Sequence, residues 1–166
     1  MTISTIKPDW KFITRHPAYF FAFGCGSGLI PWMPGTWGTL LAFPLYCALS
    51  WFGMTKMGIL SVGALLFIIG VKMSDMVDNA LGIHDHSGAN FDEVVAMLLI
   101  LALIPAQATT WVVAFMLFRF FDIVKPWPIR WLDQSVKGGW GVMLDDIAAA
   151  LATIMVLYLI QWNGWI

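Results

Sequence analysis

Charge is what this chain has least of. Asp, Glu, Lys and Arg make up 11% of its 166 residues, against about 25% in an average soluble domain. Hydrophobic residues make up 60% and mean hydropathy is +0.79, a balance that excludes an ordinary water-soluble domain and reads as an integral membrane protein. Cysteine is equally scarce. Cys25 and Cys47 are too few for a disulfide framework, and Pro31 and Gly53 stand where a C-x5-R phosphate cradle would need its arginine, so both are read as packing residues. A net charge of −1 speaks against nucleic acid as a partner. There is no internal repeat and no low-complexity segment. Pro17 and the glycines after it interrupt the apolar patch that follows Lys7, Lys11 and Arg15, so the N-terminus is read as retained rather than as a cleaved leader.

What is present is oil with polar punctuation. A bilayer core of about 30 Å takes roughly 20 apolar residues per helix, so the expectation is one all-α domain over residues 1–166, a polytopic bundle of about five transmembrane helices joined by short polar loops. The basic N-terminal tail suits the cytoplasmic surface. Residues 24–39, GCGSGLIPWMPGTWGT, carry too much glycine and proline for a regular helix, and Thr36 and Thr39 are placed to cap a first span from near Thr36 to near Gly53. A second span covers roughly Met57 to Leu81, with Lys72, Asp75 and Asp78 read as an ion-paired helix end. The uncharged stretch Val94 to Phe118 is either one long span or a hairpin broken at Pro105-Ala106-Gln107. The single span splits the nine basic residues five against four, whereas the hairpin leaves only Lys56 on the far side and gathers every acidic residue on one face. The positive-inside rule selects the hairpin, with helices near Asp92–Ile104 and Thr109–Val124. A last span runs from about Asp145 to Gln161 and ends in the interfacial tail WNGWI.

The stretch Phe118 to Asp146, FRFFDIVKPWPIRWLDQSVKGGWGVMLDD, concentrates the polar chemistry. Arg119, Asp122 and Lys125 recur at i, i+3 and i+6, on one face of a helix that Pro126 and Pro128 stop. They are either an ion-pair ladder or a grip for an anion. Asp92, Glu93, Asp145 and Asp146 lie at expected helix starts, where carboxylates cap and complement the dipole. With Asp85 and Asp122 they are too many for capping alone, because like charges near a low-dielectric boundary repel unless a cation joins them. Oxygen ligands favour a hard cation such as Mg²⁺ over zinc. His84 and His86 are a weak zinc signal and are read as substrate contacts, together with Ser27, Gly35 and Thr36 of the glycine-rich stretch. Carboxylates, a cation, Arg119 and Lys125 around one spot point to a phosphate carried on a lipid.

Four ordered blocks, GSGLIPWMPGTWGT, HDHSGANFDEVV, FRFFDIVKPWPI and GGWGVMLDDI, resemble those of the phosphatidylglycerophosphatase A family. The resemblance implies a Mg²⁺-dependent phosphatase of the bacterial inner membrane that removes the terminal phosphate of phosphatidylglycerol phosphate, a phospholipid substrate, from the cytoplasmic side. Carried over, the polar block residues fall on Asp85, Asp92, Glu93, Arg119, Asp122, Lys125, Asp145 and Asp146. All six carboxylates are candidate metal ligands, and Asp92, Glu93, Asp122 and Asp146 are candidate catalytic groups. Ala96, where the family usually has Gly, and Ala89-Asn90, where apolar residues are commoner, depart from the pattern. The expected mechanism is attack by water, with a phospho-aspartyl intermediate as the variant. A CDP-alcohol phosphotransferase needs D-x-x-D-G-x-x-A-R, and Asn79 follows Asp78 here. A small transporter is the remaining alternative.

Overall fold

A computed structural model describes residues 8–163, which are helical with no strand among them. Lys7 and the end of the WNGWI tail lie outside the described residues. The helices are α1 (Trp10–Ile13), α2 (Pro17–Ala22), α3 (Pro34–Trp51), α4 (Lys56–Leu81), α5 (Phe91–Leu103), α6 (Ala108–Val124), α7 (Ile129–Ser135) and α8 (Gly139–Trp162), with a kinked 3₁₀ segment Gly24–Leu29 between α2 and α3.

The short helix α5 is the axis of the bundle. Val94 to Leu98 and Ile100 to Ala102 are all buried, because α3, α4 and α8 pack around them. A 13-residue helix is only about 20 Å long, and such a helix persists in an apolar medium when neighbours enclose it. Two longer elements, α4 and α8, are long and apolar enough to cross a membrane.

Tertiary hydrogen bonds fix which ends lie together. Lys56 Nζ donates to the Ile104 carbonyl at 3.2 Å and Tyr158 Oη to the Leu103 carbonyl at 3.1 Å, so the start of α4 and the end of α8 cap the C-terminal end of α5. At the opposite end Arg119, late in α6, reaches Glu93 in the first turn of α5. The chain therefore breaks and reverses at 104–107, as the charge pattern requires.

Several local expectations are corrected. Helix α8 starts at Gly139, not near Asp145, because the Asp75 carboxylate of α4 accepts the Gly139 N–H at 2.6 Å and supplies the cap from outside. A Cβ on Gly139 would strike the Val71 carbonyl and one on Gly141 the Val136 carbonyl, so these glycines let α8 sit flush against its neighbours. Thr36 caps nothing: α3 opens at Pro34, after Met33 in a left-handed conformation, and the Thr36 hydroxyl is buried without a partner. Thr39 donates back to the Gly35 carbonyl at 2.9 Å. Asp78 pairs with His84 at 2.6 Å rather than with Lys72. The basic N-terminal segment is also more than a tail, since Phe12, Ile13, Ala22 and Phe23 form a second apolar cluster with Met73, Val77 and Leu81 at the end of α4.

Candidate active site

The polar end of the bundle is built from three elements that do not adjoin in sequence: the first turn of α5, the last turns of α6 and the second turn of α8. Arg119 Nη1 lies 2.9 Å from Glu93 Oε1 and 2.7 Å from Asp122 Oδ2, so one guanidinium holds two carboxylates. Lys125, left-handed at φ 44 just past α6, places its ammonium between Asp145 of α8 and Asp133 of α7, the latter at 2.6 Å. The i+3 pair with Asp122 exists, and the same guanidinium also bridges to another helix. The ladder does not continue to Lys125, which pairs with Asp133 and Asp145 instead of Asp122.

Within this end of the bundle, Asp92 and Asp146 make no ion pair among the described residues. Asp92 Oδ1 accepts the Glu93 N–H at 3.0 Å, and Asp146 is 4% exposed with Oδ2 lacking any partner. Glu93 Oε2 and Asp145 Oδ1 are likewise buried and unpartnered. Asp146 lies within electrostatic range of Asp122, Asp92, Asp145 and Glu93, which come from three helices. Buried charges without partners cost several kcal/mol each, of the order that forces a proton or a cation into the site.

Space for this arrangement comes from glycine. A Cβ on Gly35 would overlap Glu93 Oε1 and lie 2.9 Å from Arg119 Nη1, and one on Gly38 would lie 2.7 Å from the Asn90 carbonyl. The i, i+3 glycine face of α3 thus admits the start of α5. Asn90, fully buried, donates from Nδ2 to Ser27 Oγ at 2.9 Å and to the Pro34 carbonyl at 2.8 Å, while its N–H reaches the Ala22 carbonyl. It ties the 3₁₀ segment, α2 and the start of α3 to α5.

Of the residues singled out in the sequence, Glu93, Arg119 and Asp122 form one cluster with Gly35, and Lys125 and Asp145 form another. Asp92 and Asp146 stand beside them. Asp85, left-handed at φ 51, has its N–H bound by Asp78 Oδ1 at 3.1 Å and lies within electrostatic range of Lys125. His84 is on the rim, where its hydrogen bond to Asp78 raises it above the ordinary imidazole value against the opposing effect of burial. His86 is turned the other way: its Nδ1 accepts the Gly88 N–H at 3.0 Å and its ring leans on Phe23. Ser27 serves Asn90. Asp133 was missed, and Asn90 and Asp75 were noted only as a departure from the family pattern and as part of an ion-paired helix end, because each acts through a partner more than 7 residues away in sequence and no spacing rule finds it.

Among the described residues no three His, Cys, Asp or Glu side chains are already drawn together as a metal shell. The donor set nonetheless fits a hard cation, because Glu93 Oε2, Asp145 Oδ1 and Asp146 Oδ2 are buried, unpartnered carboxylate oxygens and Mg²⁺ characteristically takes one or two carboxylates and completes its shell with water and substrate phosphate.

The family model described as phosphatidylglycerophosphatase A matches residues 20–161. Proteins named phosphatidylglycerophosphatase A from Haemophilus influenzae and Escherichia coli are each 40% identical, over 94% of this chain and 96% and 94% of their own lengths. A protein from Bacteroides thetaiotaomicron named putative phosphatidylinositol-3-phosphatase is 34% identical over 84% of this chain and 90% of its own. No solved structure matches. With a family model covering most of its length and relatives matched almost end to end, this chain belongs to the phosphatidylglycerophosphatase A family.

Proposed function

We propose that this protein hydrolyses the terminal phosphate of phosphatidylglycerol phosphate, releasing phosphatidylglycerol and inorganic phosphate during phospholipid synthesis, at the polar end of a five-span bundle in the bacterial inner membrane. The observation that carries the reading is the pair of cation clusters, Arg119 with Glu93 and Asp122, and Lys125 with Asp145 and Asp133, beside the unpaired carboxylates Asp92 and Asp146. At rest the two cations are held by carboxylates. A phosphate monoester competes for both, and each exchange replaces one charge-assisted bond with another of similar strength. Arg119 and Lys125 then hold the non-bridging oxygens while charge shifts toward the leaving group.

The chemistry balances as a hydrolysis. Water oxygen bonds to phosphorus, the P–O bond to the glycerol headgroup breaks, and the leaving oxygen takes a proton to become the free hydroxyl of phosphatidylglycerol. Glu93 Oε2, buried and unpartnered while Oε1 is fixed by Arg119, is the atom that accepts the proton of the attacking water. Asp92, Asp146 and the free oxygen of Asp145 would hold Mg²⁺, with Asp85 and Asp122 next to them and Glu93 left free as the base; when bound, the ion supplies charge neutralisation and a more acidic water. The eight-to-one distribution of basic residues supports a cytoplasmic site. That relatives carry names for two different phospholipid phosphatases suits a site that grips phosphate rather than the alcohol behind it.

The test is phosphate release from purified protein with and without chelator. Excess EDTA should abolish it and Mg²⁺ restore it. Full activity in EDTA would remove the ion from the reaction while leaving the hydrolysis itself standing.

A further inference from the structure

Next to the polar end lies an apolar groove that the hydrolysis of a headgroup does not by itself use. It is bounded by Phe121 of α6, Ile129 of α7, and Ala148, Leu151, Ala152 and Met155 of α8, and encloses about 540 Å³, within the range of about 300–1,000 Å³ for small-molecule sites. Its floor is made by Ala148 and Ala152, one helical turn apart, where small side chains leave a trough. Its rim is made by large apolar residues that the protein does not cover: Leu151 is 62%, Met155 63% and Trp127 83% exposed.

The groove and the charged cluster share their residues' neighbours. Phe121 adjoins Asp122, Pro126 follows Lys125, and Ala148 lies one turn along α8 from Asp145. The mouth of the groove therefore lies at the end of the bundle that carries Lys125 and Asp145. The segment 126–128, in which two prolines forbid a helix, carries Trp127 over this mouth, and Ile129, 2% exposed, anchors α7 as its roof.

We infer that this groove between α6, α7 and α8 is the binding site for one acyl chain of the lipid whose phosphate is hydrolysed, so that the substrate enters sideways from the bilayer with its headgroup at Lys125. The inference rests on the lipid-phosphatase reading above. The occupant follows from an apolar trough whose lining residues flank Asp122 and Lys125 in the chain: a diacyl lipid phosphate has an apolar and an anionic part covalently joined. Leaving lipid tails for an equally apolar groove gains little hydrophobic energy. What the groove contributes is orientation, holding the phosphate at a fixed height and angle against Arg119 and Lys125.

Two experiments on the full-length protein in detergent micelles test this. A phosphatidic acid carrying a diazirine in mid-chain, activated by light, should label peptides from 126–129 and 148–156, and excess unlabelled phosphatidic acid should suppress the label. Label spread over the whole apolar surface, or confined to the groove that Leu40 and Phe43 form with Val112 and Met116 between α3 and α6, would overturn the assignment. In the second, Ala152→Phe fills the trough. The ratio of kcat/KM for long-chain over short-chain phosphatidylglycerol phosphate should fall about tenfold relative to the unmodified protein, equivalent to about 1.4 kcal/mol. Because it is a ratio, loss of folded protein cancels; an unchanged ratio overturns the inference. Absence of phosphate release from every lipid would sink the phosphatase reading, and the label map would still decide the groove.

Discussion

Replacing Gly35 by alanine adds one methyl group where the Glu93–Arg119 pair now lies. The new Cβ would overlap Glu93 Oε1, lie 2.7 Å from Glu93 Cδ and 2.9 Å from Arg119 Nη1. None of these atoms can move freely, because Arg119 is held on its other side by Asp122 at 2.7 Å and Glu93 is fixed in the first turn of the fully packed α5. A hydrogen bond to a charged group is worth about 1.5–3 kcal/mol. In the opposite direction, alanine is favoured over glycine in a helix interior by up to about 1 kcal/mol, and less in the first turn, where Gly35 sits. The net expectation is a stability loss of about 1 kcal/mol, a shift of a few degrees in melting temperature. Displacing the guanidinium from the phosphate position should lower turnover by about ten- to a hundredfold. Phosphate release and thermal unfolding measured on the same purified variant separate these effects. Normal turnover in Gly35→Ala would refute the claim that the Glu93–Arg119 geometry is part of the reacting site.

Three further outcomes follow from the same structure. Asn90→Ala strips Ser27 Oγ and the Pro34 carbonyl of their donor, so it should cost about 1–3 kcal/mol in denaturant or thermal unfolding; an unchanged midpoint would mean that Asn90 does not tie the segments together. Since Asp78 raises His84 above the ordinary value of 6.5, the stability from this pair is complete below about that pH and is lost as pH rises through the higher folded value. Asp78→Asn should flatten the fall in melting temperature over that window, and a variant with the same slope as the original would dismiss the pair. In a variant lacking Cys25 and Cys47, a cysteine at Gln107 should react with a membrane-impermeant thiol reagent from the periplasmic side; labelling from the cytoplasmic side alone would reverse the proposed orientation.

How much of this was legible in the sequence depended on whether the cause was local. The reversal at 104–107 was readable because charge distribution on either side of Val94–Phe118 constrains topology, and Pro105 marks the break. The convergence of Glu93, Arg119 and Asp122 was half readable: spacing aligned Arg119 with Asp122, but only packing brings α5 to them. The start of α8 was misplaced by six residues because its cap is Asp75, 64 positions earlier. Gly139 and Gly141 carry the same lesson: a sequence shows a missing side chain and does not show the carbonyls of Val71 and Val136 that require it to be missing. Helix α7 was not anticipated, and with it Asp133 escaped notice, since two prolines suggested only a turn. Lys72 was assigned to Asp75 and Asp78 by helical spacing, yet both carboxylates turn toward other segments.

The central claim is that Arg119 and Lys125 hold a lipid phosphate rather than merely tying helices together. It is tested most directly by phosphate release from phosphatidylglycerol phosphate, followed by phosphorus NMR on purified Arg119→Ala and Lys125→Ala alongside the unmodified protein, with melting temperature taken from the same samples. The account predicts that the unmodified protein produces inorganic phosphate and phosphatidylglycerol, and that each variant remains folded while losing about 1.5–3 kcal/mol of transition-state stabilisation, about ten- to a hundredfold in rate. Unfolded or poorly expressed variants whose remaining protein keeps normal specific activity would contradict it and leave the two cations as structural ties.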